Sequence, residues 1–229
     1  MLILILVFEL SHFLYVKNLF CMFTKLQHLP LIFFIVLLTY SFGSTQNIDI
    51  DLLRQINVDR NLSFDQTFKV ISDLNDPLVF SVPLVIYGLG MLTGKDHTKK
   101  HGIKAAASLL VASMFSTAIK YSFRRDRPSV TYSDIIPLSS ASSPSFPSGH
   151  TTIAFATATS LSLSYPKWYV IAPAYLWAGT VGYSRMHLGV HYPSDVVVGM
   201  IVGSGSAYLT HYLMNKFYTQ KSKKTAIVF

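Results

Sequence analysis

The sequence predicts an all-α fold, a polytopic membrane helix bundle of five to six transmembrane helices. Three observations lead there. Hydrophobic residues make up 51% of the 229 and charged residues 13%, about half the charged share of an ordinary soluble domain. The mean hydropathy is +0.40. Several apolar runs approach the length a helix needs to cross a bilayer. The length suits one domain.

The formal net charge is +8. The cations fall in short loops between apolar runs and in the tail, not along one polar face. That placement excludes nucleic acid as a partner and favours a membrane and an anionic substrate. The single cysteine, Cys21, excludes an intrachain disulfide and a cysteine-based metal site.

Residues 1–45 are expected to be a signal peptide or an N-terminal membrane anchor. Lys25 precedes an apolar core over 29–38, and Ser41, Gly43, Ser44 and Thr45 supply the small residues of a cleavage zone. Met22 is an alternative start. Residues 46–76 read as an amphipathic periplasmic segment, because Leu52, Leu53 and Ile56, then Phe64, Phe68 and Ile71, recur at near-helical spacing. The acidic residues among them are expected to form a solvated face.

Residues 77–215 form the expected transmembrane domain, with spans over 77–92, 103–123, 149–165, 168–183 and 196–213. Each is about 16–21 residues, or roughly 24–32 Å at helical rise. Gly199 and Gly203 stand one turn apart on the last span and would let it approach a neighbour closely. Residues 216–229 are expected to be a basic cytoplasmic tail. If the spans alternate, the lysine-rich turn at 93–104, the turn at Pro166-Lys167 and the tail share one side, which the positive-inside rule makes cytoplasmic. The segments 46–76, 124–148 and 184–195 then face the periplasm of a bacterial inner membrane. Arg124, Arg125, Arg127 and Arg185 stand on that outer side, against the rule, and so invite a functional reading.

The stretch 184–195 places a guanidinium (Arg185), an imidazole (His191) and a carboxylate (Asp195) within twelve residues. A neutral imidazole is a nucleophile, and a carboxylate four residues on can hold its far N–H. A polar loop between two helices would give the same residues. Two upstream clusters complete a pattern: Lys120-x6-Arg127-Pro128, Pro147-Ser148-Gly149-His150, and Ser184-Arg185-x5-His191-x3-Asp195.

In that order and at those separations the three motifs resemble the signature of the type-2 phosphatidic acid phosphatase and vanadium haloperoxidase superfamily, in its membrane-bound bacterial lipid-phosphatase branch. The resemblance covers residues 120–195, with no mismatch at a functional position. It implies the acid phosphatase/vanadium-haloperoxidase-like fold and a metal-independent phosphatase without cofactor. The expected substrate is a phosphate monoester or pyrophosphate of a membrane lipid: phosphatidic acid, phosphatidylglycerol phosphate or a polyprenyl pyrophosphate. His191 would attack phosphorus and form a phosphohistidine, with Asp195 orienting it. His150 would be the general acid and then the base. Lys120, Arg127, Ser148, Gly149 and Arg185 would cradle the phosphoryl oxygens, whose spread charge calls for fixed cations and N–H donors. His187 lies outside the motifs and is expected to pack or sit at the rim. Arg124 and Arg125 are expected to meet the interface or lipid headgroups. The alternatives are a vanadate-dependent haloperoxidase, which the same cradle would serve, and a non-catalytic lipid-binding membrane protein.

Overall fold

The computed structural model describes residues 48–140 and 142–227, with side chains through Thr219. The expected signal peptide or anchor therefore lies outside the described residues. Those described form helices and connecting loops, with no strand among them. Residues 48–57 are helical (α1). A 3-10 turn, Leu62–Phe64, leads into α2 (Asp65–Leu92), followed by α3 (Asp96–Phe123), the single turn α4 (Pro128–Thr131), α5 (Gly149–Ser164), α6 (Trp168–His187) and α7 (Pro193–Ile227).

α2 begins at Asp65 and runs unbroken through Pro77 and Pro83, although its span was expected to open at Pro77. Its buried residues, Ser72, Asn75, Val79, Pro83, Ile86 and Gly90, recur every three or four positions through both prolines. Packing of that stripe offsets the two backbone hydrogen bonds the prolines remove. α3 carries a matching stripe of Ala105, Ser108, Leu109, Ala112, Ser116 and Lys120. Lys120 thus points inward because it is in register with a row of small residues.

α5 occupies the centre and touches α2, α3, α6 and α7. Residues 151–160 are buried apart from the half-buried Phe155. Being walled by protein rather than lipid, α5 can be rich in threonine and serine. Thr152 and Thr157 bond carbonyls of their own helix at 2.8 and 2.9 Å. α7 lies against it through the two expected glycines. A Cβ at Gly199 would stand 2.9 Å from the Ser148 carbonyl oxygen, and one at Gly203 would stand 3.0 Å from the Ala156 nitrogen.

Among the described residues, three helical stretches are long and apolar enough to cross a membrane: Leu62–Leu92, Asp96–Thr131 and Pro193–Thr219. Of the five to six crossings expected, three thus meet both criteria. α5 and α6 complete the bundle with 16 and 20 residues, roughly 24 and 30 Å.

Candidate active site

The end of α3, the start of α5, the end of α6 and the start of α7 meet at one end of the bundle. Each arrives there for a local reason. α3 stops at Arg124, whose φ of 48° is left-handed and reverses the chain, so that the following residues fold back over the helix end. Ser148 caps α5 with extended backbone (φ −68°, ψ 111°). The first-turn N–H groups of α5, including that of Gly149, therefore face the loop side, where anions are favoured. α7 opens with proline, suited to a first helical position. The third residue of the helix, Asp195, accepts the Tyr192 N–H at 3.1 Å, which is half of a capping box. Ser148 N–H donates to the Asp195 backbone oxygen at 3.0 Å and fixes the two helix starts to each other.

His191 sits in the tight link between α6 and α7. Gly189 makes that link possible: its φ is +69°, and a Cβ there would stand 2.7 Å from the Ile136 oxygen. His191 is 2% exposed. Its Nδ1–H donates to Asp195 Oδ2 at 3.4 Å, which leaves the Nε2 lone pair facing the cavity, 3.4 Å from Arg127 Nη1. Burial pushes this imidazole down to about 3, against the upward pull of the Asp195 hydrogen bond. The ring is accordingly neutral at ordinary pH, as a nucleophile must be.

Arg127 is held by the carbonyls of Ser143 at 2.9 Å and Val190 at 2.7 Å. Lys120 Nζ donates to the Pro144 carbonyl at 2.7 Å. Arg185 is 3% exposed and bonds the Ser72 hydroxyl, yet its buried Nε has no acceptor among the described residues. A buried guanidinium with a free donor suits an incoming anion. Lys120, Arg127, Gly149, His150, Arg185 and His191 all line one cavity of about 430 Å³, roofed by Ser139, Ser140, Ser142 and Ser143 and edged by Asp73. Ser148 lies just beneath, with its hydroxyl accepting from Thr151 at 2.9 Å. Its hydroxyl is thus paired with a side chain of its own helix, while Gly149 and His150 line the cavity. All eight residues singled out in the sequence thus gather at one place.

Four side chains outside the motifs also meet here. Ser145 donates to Asp195 Oδ2 at 2.5 Å. Asp76 Oδ1 lies 3.7 Å from His150 Nε2. Arg125 turns inward instead of meeting headgroups: it donates to Asp195 Oδ1 at 2.8 Å and to Asp49 Oδ2 at 2.7 Å. Asp49, expected on a solvated face, is buried. Asp65 also departs from that expectation, pairing with Arg60 at 2.9 Å and His187 at 2.8 Å. His187, 4.5 Å from the Phe68 ring, has the packing role its place outside the motifs suggested. Arg124 is exposed.

This end of the bundle can neutralise a phosphate-sized anion with three cations, attack it with a neutral imidazole and supply a second imidazole. The chain resembles an undecaprenyl-diphosphatase of Sulfolobus acidocaldarius, 29% identical over 79% of this chain and 87% of that protein. It also resembles a lipid A 1-phosphatase of Porphyromonas gingivalis, 32% identical over 69% of this chain but only 33% of that one. Among solved structures, Aquifex aeolicus LpxE superposes with a TM-score of 0.62 at 27% identity, over 72% of this chain and 95% of LpxE. A PAP2-type phosphatidylglycerolphosphate phosphatase of Bacillus subtilis shares the fold with a TM-score of 0.67 at 24% identity, over 81% and 94% of the two chains. Residues 101–219 match the model of one family, and they contain every motif residue described above: the chain belongs to the PAP2 superfamily.

Proposed function

We propose that this membrane protein is a metal-independent lipid phosphatase working through a phosphohistidine on His191. The observation that carries the reading is the convergence of Lys120, Arg127 and Arg185 on the cavity that His191 and His150 also line. The His191 Nε2 lone pair attacks phosphorus, and the bond to the lipid oxygen breaks. His150, which enters the cycle as the imidazolium, gives its proton to that oxygen as it leaves. A water then attacks phosphorus, giving its proton to His150, while the P–N bond breaks and returns neutral His191. The three cations and the N–H groups at the start of α5 hold the equatorial oxygens throughout. Asp195 keeps the imidazole in the Nδ1–H form and balances its positive charge once phosphorylated.

A lipid substrate fits the surroundings. A second cleft of about 230 Å³ shares Lys120, Gly149 and His150 with the cavity and runs down between α2 and α3 past Phe80, Ser113, Thr117 and Ile153. A headgroup phosphate at His191 would let its apolar tail leave sideways by this route. The positive-inside pattern supports a site on the periplasmic side of an inner membrane. The substrate is then a phosphate monoester or a pyrophosphate of phosphatidic acid, phosphatidylglycerol phosphate or polyprenyl type.

The test is phosphate release by detergent-purified protein from a panel of these lipids in the presence of chelator. Turnover of at least one is expected, with the best substrate naming the class. No release from any of them, or release that stops when metal is removed, would overturn the proposal.

A further inference from the structure

The pairing of His191 with Asp195 leaves one buried group unexplained. Asp49 is 6% exposed and comes from α1, 146 residues before Asp195. Its Oδ1 accepts the Ser194 N–H at 2.8 Å, and its Oδ2 accepts the Ser194 hydroxyl at 2.5 Å. Oδ2 also accepts Arg125 Nη2 at 2.7 Å. The other arm of the same guanidinium, Nη1, donates to Asp195 Oδ1 at 2.8 Å and to the Ser194 hydroxyl at 2.7 Å. The guanidinium carbon lies over the Tyr192 ring, 3.8 Å from its centroid. A carboxylate, a guanidinium, a second carboxylate and an imidazole thus alternate in one chain.

A guanidinium prefers to grip a carboxylate with two parallel N–H groups. Arg125 does not do this to Asp195, because Asp49 occupies one of its arms. Asp195 consequently offers only Oδ1 to Arg125, and keeps Oδ2 for Ser145, Tyr192 N–H and His191. The His191 contact is the longest of these, at 3.4 Å, and so the first to be lost if Asp195 turns. We infer that Asp49 is a positioning residue for the nucleophile: by holding one arm of Arg125 it keeps Asp195 turned toward the imidazole. Its charge adds a second effect. With Asp49 the trio Asp49, Arg125 and Asp195 carries one net negative charge beside a ring that becomes cationic on phosphorylation; without it the trio is neutral. The inference rests on the phosphohistidine reading.

The experiment uses full-length protein in detergent with a short-chain phosphatidylglycerol phosphate, or whichever lipid the panel selects. Steady-state rates are measured beside rapid-quench rates of phosphoenzyme formation and breakdown. Asp49→Asn keeps the shape and removes the charge. It is expected to slow phosphoenzyme formation and kcat by roughly 10- to 100-fold, the scale of a misplaced reacting group, with KM within about twofold. Breakdown of the phosphoenzyme should not slow, because removing the negative charge makes the cationic imidazole no worse a leaving group. Asp49→Glu should recover part of the rate. Ser194→Ala, which loosens Asp49 without discharging it, should slow the same step by a few-fold. Wild-type formation rates in both D49N and S194A would overturn the inference, as would a loss confined to thermal stability or to KM. His191→Ala, run alongside, separates the two claims. If it still turns over, the phosphohistidine reading fails. If it is dead while D49N is unaffected, only the role of Asp49 fails.

Discussion

Replacing Gly199 by alanine tests whether close contact of α7 with α5 sets the active-site geometry. The added Cβ would stand 2.9 Å from the Ser148 carbonyl oxygen and 3.1 Å from Thr151 Cβ, both inside the 3.4 Å at which ordinary contact begins. Neither neighbour is a flexible side-chain tip. Relief requires the start of α5 to move by about 0.5 Å, the shortfall against ordinary contact, and that start carries Gly149 and His150. Overpacking of this kind costs about 1–3 kcal/mol, and a shift of this size at reacting groups costs on the order of tenfold in rate. Gly205 lies on the same helix with nothing within 4 Å of its Cβ position, so Gly205→Ala is the matched control. Thermal unfolding in detergent and phosphate release from the preferred lipid are measured on both variants. G199A is expected to unfold earlier and to lose about tenfold in kcat, and G205A to match the parent or exceed it slightly in stability. If G199A behaves as the parent, or if G205A loses as much, the contact does not set the site.

Further expectations concern the chemistry. His191→Ala should abolish turnover and leave no acid-labile, alkali-stable phosphoenzyme on rapid quench. His150→Ala should lower kcat by roughly 10²–10⁴ while inhibition by inorganic phosphate stays near the parent value, since the cations remain. Chelator should leave kcat unchanged across the lipid panel; loss restored by one divalent ion would contradict the role given to Lys120, Arg127 and Arg185. Burial holds His191 down to about 3, so its ring should stay neutral from pH 8 to pH 5 in phosphate-free protein. Histidine ¹⁵N NMR, with the signal assigned by its loss in H191A, would refute this by showing a midpoint near 6.5. The sign carries over to stability. The unfolded chain takes up this proton near 6.5 and the folded chain near 3, so the His191 contribution to stability falls as pH drops between those values.

The eight motif residues were legible through the resemblance of their three clusters to the superfamily signature. Each stands at a helix end or in a short link, so the spacing within a cluster is kept in the fold. The partners that brace them were not. Arg125 reads as one of several outer-side arginines, and only the left-handed turn at Arg124 sends it inward. Asp49 meets Arg125 across 76 residues, and nothing in its own segment distinguishes it from the solvated Asp51, 64% exposed. The early start of α2 was missed because the span was taken to open at Pro77, whereas the helix begins at Asp65. The signal that would have found it is the stripe Ser72, Asn75, Val79, Pro83, Ile86 and Gly90, whose period passes through both prolines. α5 was expected as a span, yet with 16 residues it is not among the stretches long and apolar enough to cross: hydropathy measures suitability for lipid, and this helix meets mainly protein.

That enclosure has a consequence for how the molecule would respond to its surroundings. Bilayers differ in thickness by several ångströms, and helices in contact with acyl chains accommodate the mismatch by tilting. The lipid-facing surface falls on α2, α3, α6 and α7, where Leu84, Met114, Leu176 and Ile201 are exposed. α5, which bears His150 at its tip, is insulated by them. Tilting of the outer helices would reach His150 only through their packing against α5, so catalysis should tolerate membranes of differing depth better than lateral access of substrate does.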